Sequence, residues 1–224
     1  MIKYPQNWCG IGHEIDPSDI ADALMRCIGK LGVRNLSLSG GIDSTLLLYF
    51  MKKVLGNPIH CYTISFNEYH LDYTYAKMAT EFFSVEHHPC FLRKVLEPDD
   101  IVKAFYEHLA AIEVKDIIAG DGIDEFACGY YSHLEDKSEQ NYISWIRRMQ
   151  AEQLIPLHQN SGDVNVYLPY LSSEVVKLLS LVPLYEKIDA VQRKRLVYYM
   201  AKGNVPKMII ERRKYGFCDA TITK

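Results

Sequence analysis

Leu36-Ser37-Leu38-Ser39-Gly40-Gly41-Ile42-Asp43-Ser44-Thr45 decides how the rest of the chain reads. A short apolar strand runs into two adjacent glycines and out into the apolar stretch from Ser44 to Leu55. Adjacent glycines let the backbone turn sharply and bring its N–H groups close to a polyanion. Ser39 and Ser44 add hydroxyls, and Ser44 is expected to open a helix whose N-terminus favours phosphate. Asp43 alone would repel phosphate, so its presence implies a divalent cation between them. A Gly-Gly pair by itself would signal only a strand-to-helix turn with a serine cap. The complete string, set between an apolar strand and an apolar helix, argues for a phosphate loop.

Outward from this loop the chain alternates. Residues 17–31 read as a helix opened by Pro17, with Ile20, Ala23, Leu24, Cys27, Ile28 and Leu31 on one face and Gly32 ending it. Arg34 to Leu38 is the first strand. Strands are expected at 59–66, 85–90 and 116–119, with helices at 44–55, 73–83 and 100–112 between them. Such alternation predicts an α/β fold, a doubly wound parallel sheet with ligands at the carboxyl ends of its strands. Gly120-Asp121-Gly122 follows the strand Asp116-Ile117-Ile118-Ala119, so both glycine-aspartate motifs sit at such ends. Beyond residue 138 the pattern is helical: 141–154, 172–181, 189–202 and a piece near 206–212, interrupted by the strand-like 164–168. The organisation expected is a helical lead-in (1–33), an α/β core (34–137) and a helical substrate-side layer of the same domain (138–224).

Composition narrows the field. The chain has 224 residues, 48% hydrophobic and 24% charged, as in an ordinary globular protein. A net charge of −3 offers no broad attraction to nucleic acid or an anionic membrane, so neither is an expected partner. Arg193-Lys194-Arg195 and Arg212-Arg213-Lys214 leave a local nucleic-acid contact open. The start, Met1-Ile2-Lys3-Tyr4-Pro5, lacks the apolar core of a secretory signal, and a cytoplasmic location is expected. The six cysteines (Cys9, Cys27, Cys61, Cys90, Cys128, Cys218) form no CxxC pair and read as reduced thiols. His87-His88 cannot chelate one ion together, because neighbours in a strand point to opposite faces.

The Ser39–Ser44 string resembles the phosphate loop of the ATP-pyrophosphatase (PP-loop) superfamily. Ala119-Gly120-Asp121-Gly122-Ile123-Asp124-Glu125-Phe126-Ala127-Cys128-Gly129-Tyr130 is similar to the second signature of the asparagine synthetase C-terminal (synthase) domain. His60 to Phe66, Asp72 with Ala76, Lys194-Arg195-Leu196-Val197, Val205-Pro206 and Arg212-Arg213-Lys214-Tyr215-Gly216-Phe217 resemble further blocks in the same order. The resemblance implies an adenine nucleotide alpha hydrolase-like fold and an ATP-dependent, AMP-forming amide ligase. Such an enzyme adenylates a small-molecule carboxylate, releases pyrophosphate and passes ammonia or an amine to the acyl-adenylate.

By the same resemblance Leu38, Ser39, Gly40, Gly41, Asp43, Ser44, Ile64 and Gly120 would hold ATP, and Asp43 and Asp124 would hold Mg²⁺. Asp121 would deprotonate the incoming amine, or else only stabilise its turn. Lys214 would stabilise charge at the adenylylated centre, with Lys194 assisting. Departures fall on the acceptor side. Ile2 follows Met1 where glutamine-using synthetases have a catalytic cysteine, so free ammonia or a separate ammonia-supplying protein is the expected nitrogen source. The 90–116 connection is shorter. Asn165 and Tyr167 replace an acid and an arginine, Ser172 an aspartate and Tyr198 an arginine, which argues against free aspartate as acceptor. Adenylation of a nucleobase, tRNA or peptide, or nucleotide binding without turnover, stays open beside the ligase reading.

Overall fold

The computed structural model describes residues 15–92 and 98–212. Its centre is a parallel sheet of five strands: β1 (Asn35–Ser37), β2 (His60–Ser65), β3 (Glu86–Phe91), β4 (Asp116–Ile118) and β5 (Asn165–Tyr167). Their order is β3-β2-β1-β4-β5. The chain therefore winds outward from β1 through β2 to β3, returns to β4 on the other side of β1, and ends at β5. Winding reverses between β1 and β4, where the crevice outside the strand ends forms a ligand site in open α/β sheets. The two glycine-aspartate motifs follow β1 and β4 and so flank that point.

Helices cover both faces. α1 (Pro17–Leu31) is capped by Asp16, whose Oδ1 accepts from Ser18 N at 2.8 Å, and Gly32 ends it at φ 63°. Its Ile20, Ala23, Leu24 and Ile28 are fully buried, so this segment is part of the main core. α2 (Ile42–Leu55) and α3 (Leu71–Phe83) complete that layer with Leu46, Leu47, Leu48, Met51, Ala76 and Ala79. On the opposite face Phe105, Tyr106 and Leu109 of α4 (Pro98–Ala111) pack on Tyr62, Cys90 and Ile117. Each buried Leu, Ile, Met or Phe among them contributes about 1.5–3 kcal/mol by leaving water.

After β4 come the short α5 (Ile123–Phe126) and α6 (Ser132–Glu135), then α7 (Glu139–Met149). α7 passes through a π-helical turn, Gln150–Leu154, into α8 (Ile155–Asn160). Pro156 has no N–H to give an α-helical bond, and the π turn lies just before it. The strand-like residues near 166 are not an interruption of a helical layer. They form β5, paired with β4 in the register Asp116↔Asn165 to Ile118↔Tyr167, so the sheet is completed by residues beyond 138.

A short helical turn at Pro169–Leu171 leads to α9 (Ser173–Leu181) and α10 (Leu184–Lys187). The helix expected over 189–202 begins only at Arg195, as α11 (Arg195–Ala201). Asp189 Oδ1 accepts from Val191 N and Gln192 N, both at 2.8 Å, and this side-chain-closed turn competes with helix. Lys194 then takes the left-handed conformation, φ 54°, ψ 34°. α12 (Lys207–Ile210) closes the described chain.

Candidate functional site

The phosphate-loop stretch folds as a tight crossing of glycines and hydroxyls. Gly40 has φ 67°, and a Cβ there would lie 2.4 Å from Ala76 N, so only glycine lets the loop rest on α3. Ser39 N donates to Ser44 Oγ at 3.2 Å, and Gly41 N to Ser39 Oγ at 3.3 Å. α2 starts at Ile42 with Gly41 as its cap, two residues before the expected start. Ser44 is therefore inside the first turn, its hydroxyl donating to Gly41 O at 3.3 Å. Asp43 also lies in that first turn, near the electropositive end of the helix.

The second motif approaches from β4. A Cβ on Gly120 would be 3.7 Å from Ser44 N, which places the β4 turn directly against the loop. Gly122, at φ 92°, makes the turn against the Leu171 side chain and caps α5, whose second residue is Asp124. Leu38 continues the β1–β2 ladder, its N donating to Tyr62 O at 2.8 Å and its carbonyl accepting from Thr63 Oγ1 at 2.7 Å. Ile64 is half-buried on β2. Asp121 is exposed in the β4–α5 turn, near enough to Tyr106 to add to the effect of burial in raising that phenol's pKa.

Asp43 and Asp124 meet, as their motifs imply, but through Lys194. Its Nζ lies 2.5 Å from Asp43 Oδ2 and 2.7 Å from Asp124 Oδ1, at 4% side-chain exposure. Burial alone would push this ammonium towards the neutral form; the charges of Asp124 and Asp43 outweigh it and hold the pKa above that of a free lysine. Gly129 makes room: a Cβ there would sit 1.8 Å from Asp124 Oδ1 and 2.4 Å from Lys194 Cε. Lys194 is also one of four non-glycine residues with positive φ among the described residues, a strained backbone that the packing maintains.

Further supports were not read from the sequence. Tyr170, fully buried, donates from its OH to Asp43 O at 2.9 Å. Arg193 donates to Gly129 O and lies over the Tyr131 ring at 3.7 Å. Arg212 joins the end of the described chain to the loop: Nη1 donates to Ser39 O at 3.1 Å, Nη2 pairs with Asp72, and the guanidinium covers the Tyr75 ring. Its place in a basic run masked this bracing role. Behind Asp124, the fully buried Glu125 accepts from Tyr130 OH and, at 2.5 Å, from Gln153 Nε2. The Tyr130 ring stacks on Trp145 at 3.9 Å. Lys214, together with Tyr215-Gly216-Phe217, lies outside the described residues.

The donor set fits a hard divalent cation in one respect and opposes it in another. Asp43 Oδ1 is buried and accepts no hydrogen bond among the described residues, and carboxylate oxygens are the ligands Mg²⁺ prefers. The Lys194 ammonium, however, already stands between the two carboxylates and leaves the trio one net negative charge. A divalent ion bound through Asp43 Oδ2 and Asp124 Oδ1 would compete with Lys194 for the same oxygens.

Two substitutions expected on the acceptor side have another use. Asn165 Nδ2, from the first residue of β5, and Tyr167 OH, from its last, both donate to Asp116 Oδ1, at 3.0 and 3.1 Å. They tie the edge strand β5 to β4. Ser172, by contrast, precedes α9 with a buried Oγ that has no hydrogen-bond partner among the described residues.

Topology, with the glycine loop and the paired aspartates at the switch point, defines a doubly wound α/β fold of the adenine nucleotide alpha hydrolase-like kind. Comparison with known proteins agrees. The family model described as Asparagine synthase matches residues 21–113. Among solved structures, the NMN synthetase from Francisella tularensis superposes with a TM-score of 0.52 at 17% identity, covering 90% of this chain and 76% of that one. No curated protein matches the sequence. Within the described residues no helix is long and apolar enough to cross a membrane.

Proposed function

We propose that the chain is an ATP-dependent, AMP-forming ligase that adenylates a small-molecule carboxylate and amidates it with ammonia or an amine. The observation that carries this reading is the convergence of Asp43, Asp124 and Lys194 beside the Ser39–Ser44 loop at the sheet's switch point. The loop N–H groups and the α2 N-terminus would receive the phosphates of ATP. An acceptor carboxylate oxygen would form a bond to the α-phosphorus as the bond to the β-phosphate bridging oxygen breaks, and pyrophosphate would leave. The amine would then attack the acyl carbon and expel AMP. Amide formation thus avoids expelling oxide from an unactivated carboxylate.

Asp43 and Asp124 would hold Mg²⁺, which when bound neutralises charge on the polyphosphate. Lys194 holds the two carboxylates together and would offer a phosphate-compatible charge beside the loop. Its assisting role and that of Asp121 as proton acceptor belong to this reading. The deciding experiment measures AMP and pyrophosphate formation from ATP across a panel of amino and other carboxylic acids, with and without ammonium. Pyrophosphate release that depends on one acceptor, with amide appearing only when ammonium is present, is the expected result. ADP and orthophosphate as products, or nucleotide binding with no turnover on any acceptor, would overturn it.

A further inference from the structure

At the amino-terminal end of the sheet, a second group of polar side chains meets on β2 and β3. His60 and Glu86 are register partners, and His88 is two residues along β3, so alternation puts all three on one face. His60 Nδ1 lies 3.0 Å from Glu86 Oε2 and 3.3 Å from His88 Nε2, and His88 Nε2 lies 3.4 Å from Glu86 Oε2. His87 is on the other face, against Thr63 Oγ1 at 3.0 Å and stacked on Tyr73. The neighbours in sequence lie on opposite faces, whereas His60, Glu86 and His88 meet on one.

We propose that His60 Nδ1, His88 Nε2 and Glu86 Oε2 form a site for a divalent transition-metal ion, with zinc the best match and solvent as fourth ligand. Bonds of about 2.0–2.1 Å at tetrahedral angles put ligand atoms about 3.3 Å apart. The three observed separations, 3.0, 3.3 and 3.4 Å, are one face of such a tetrahedron. Two imidazoles and a carboxylate favour zinc, cobalt, nickel or copper over the magnesium that an all-oxygen set would select. The half-exposed side chains leave a path to solvent, and the Tyr62 ring stacked on His88 at 5.0 Å fixes that imidazole. β3 is an edge strand, so the ion would clip the sheet edge to β2. β2 ends in the nucleotide crevice and begins at these side chains, which separates the ion from the ATP chemistry by the length of the strand.

The test is titration of tag-free, metal-stripped protein with Zn²⁺ and with Co²⁺, whose visible absorption reports coordination geometry. One equivalent should bind saturably, give the intense bands of tetrahedral cobalt, and raise the melting temperature. Glu86→Gln, an exposed and nearly isosteric change, and His88→Gln should each weaken binding at least about tenfold. Asp43→Asn combined with Asp124→Asn should leave it unchanged. Absence of saturable binding, or binding that Glu86→Gln and His88→Gln do not weaken, would overturn the proposal. The second outcome would place the ion on thiols or at the nucleotide site.

Discussion

Lys194 exchanges solvent for two carboxylates at 2.5 and 2.7 Å. A buried charge cluster of this kind is costly to break, because removing one member leaves the others unpaired. Lys194→Met should therefore destabilise the ligand-free protein by about 3–5 kcal/mol, measured by denaturant unfolding. The same variant should gain stability from Mg²⁺ alone, because nothing then competes for Asp43 and Asp124. The wild-type protein should gain little without nucleotide. Equal Mg²⁺ shifts in both would show that Lys194 does not guard the carboxylates. Gly129→Ala tests the packing of the trio. Its Cβ would overlap Asp124 Oδ1 at 1.8 Å, so turnover should fall while α1 and the sheet core, remote from the clash, stay folded by circular dichroism. That Asp43 and Asp124 come together was legible from their motifs. The position of Lys194 between them was not, because it depends on a left-handed residue that sequence patterns place inside a helix.

The helical elements after β4 carry two buried ionisable groups, His133 and Lys187, that couple stability to pH. His133, 2% exposed, has its pKa depressed to about 4 by burial, against an ordinary 6.5. The unfolded chain binds this proton more readily, so stability is intact above 6.5 and falls with pH down to about 4, by about 3 kcal/mol in all. Lys187, 1% exposed with Nζ 2.6 Å from Tyr142 OH, is lowered by burial from 10.5 to about 8. Here too the unfolded state binds more protons, so stability should rise between pH 8 and 10.5. Lys187→Met should flatten that rise; unchanged unfolding midpoints across the window would contradict the assignment. α1 was readable because one apolar face and the residues at its two ends define it, and α2 because a long apolar run follows the glycine pair. β5 was ambiguous because three residues between helices carry no periodicity, and only pairing with β4 makes them a strand. The start of α11 was misplaced because the turn built by Asp189 overrides helical spacing.

At the scale of the molecule, one sheet carries two separate ends. The carboxyl ends of β1 and β4 gather the loop, both aspartates and Lys194, and the amino ends of β2 and β3 gather the proposed metal site. The sequence announced the first end through glycine-aspartate strings of fixed spacing. It concealed the second, since His60 and His88 are far apart along the chain and meet only through the parallel register. The partner of Asn165 and Tyr167 was hidden for a related reason: both bind Asp116, 49 and 51 residues away, across the parallel β4–β5 pair. The most direct measurement is pyrophosphate and AMP formation by wild type, Asp43→Asn and Asp124→Asn at saturating ATP, Mg²⁺ and acceptor. Loss of one carboxylate leaves phosphate charge uncompensated in the transition state, so each variant should be slower by at least about a hundredfold while remaining folded. Turnover near that of wild type in either variant would contradict the assignment of these two aspartates to the reacting phosphates.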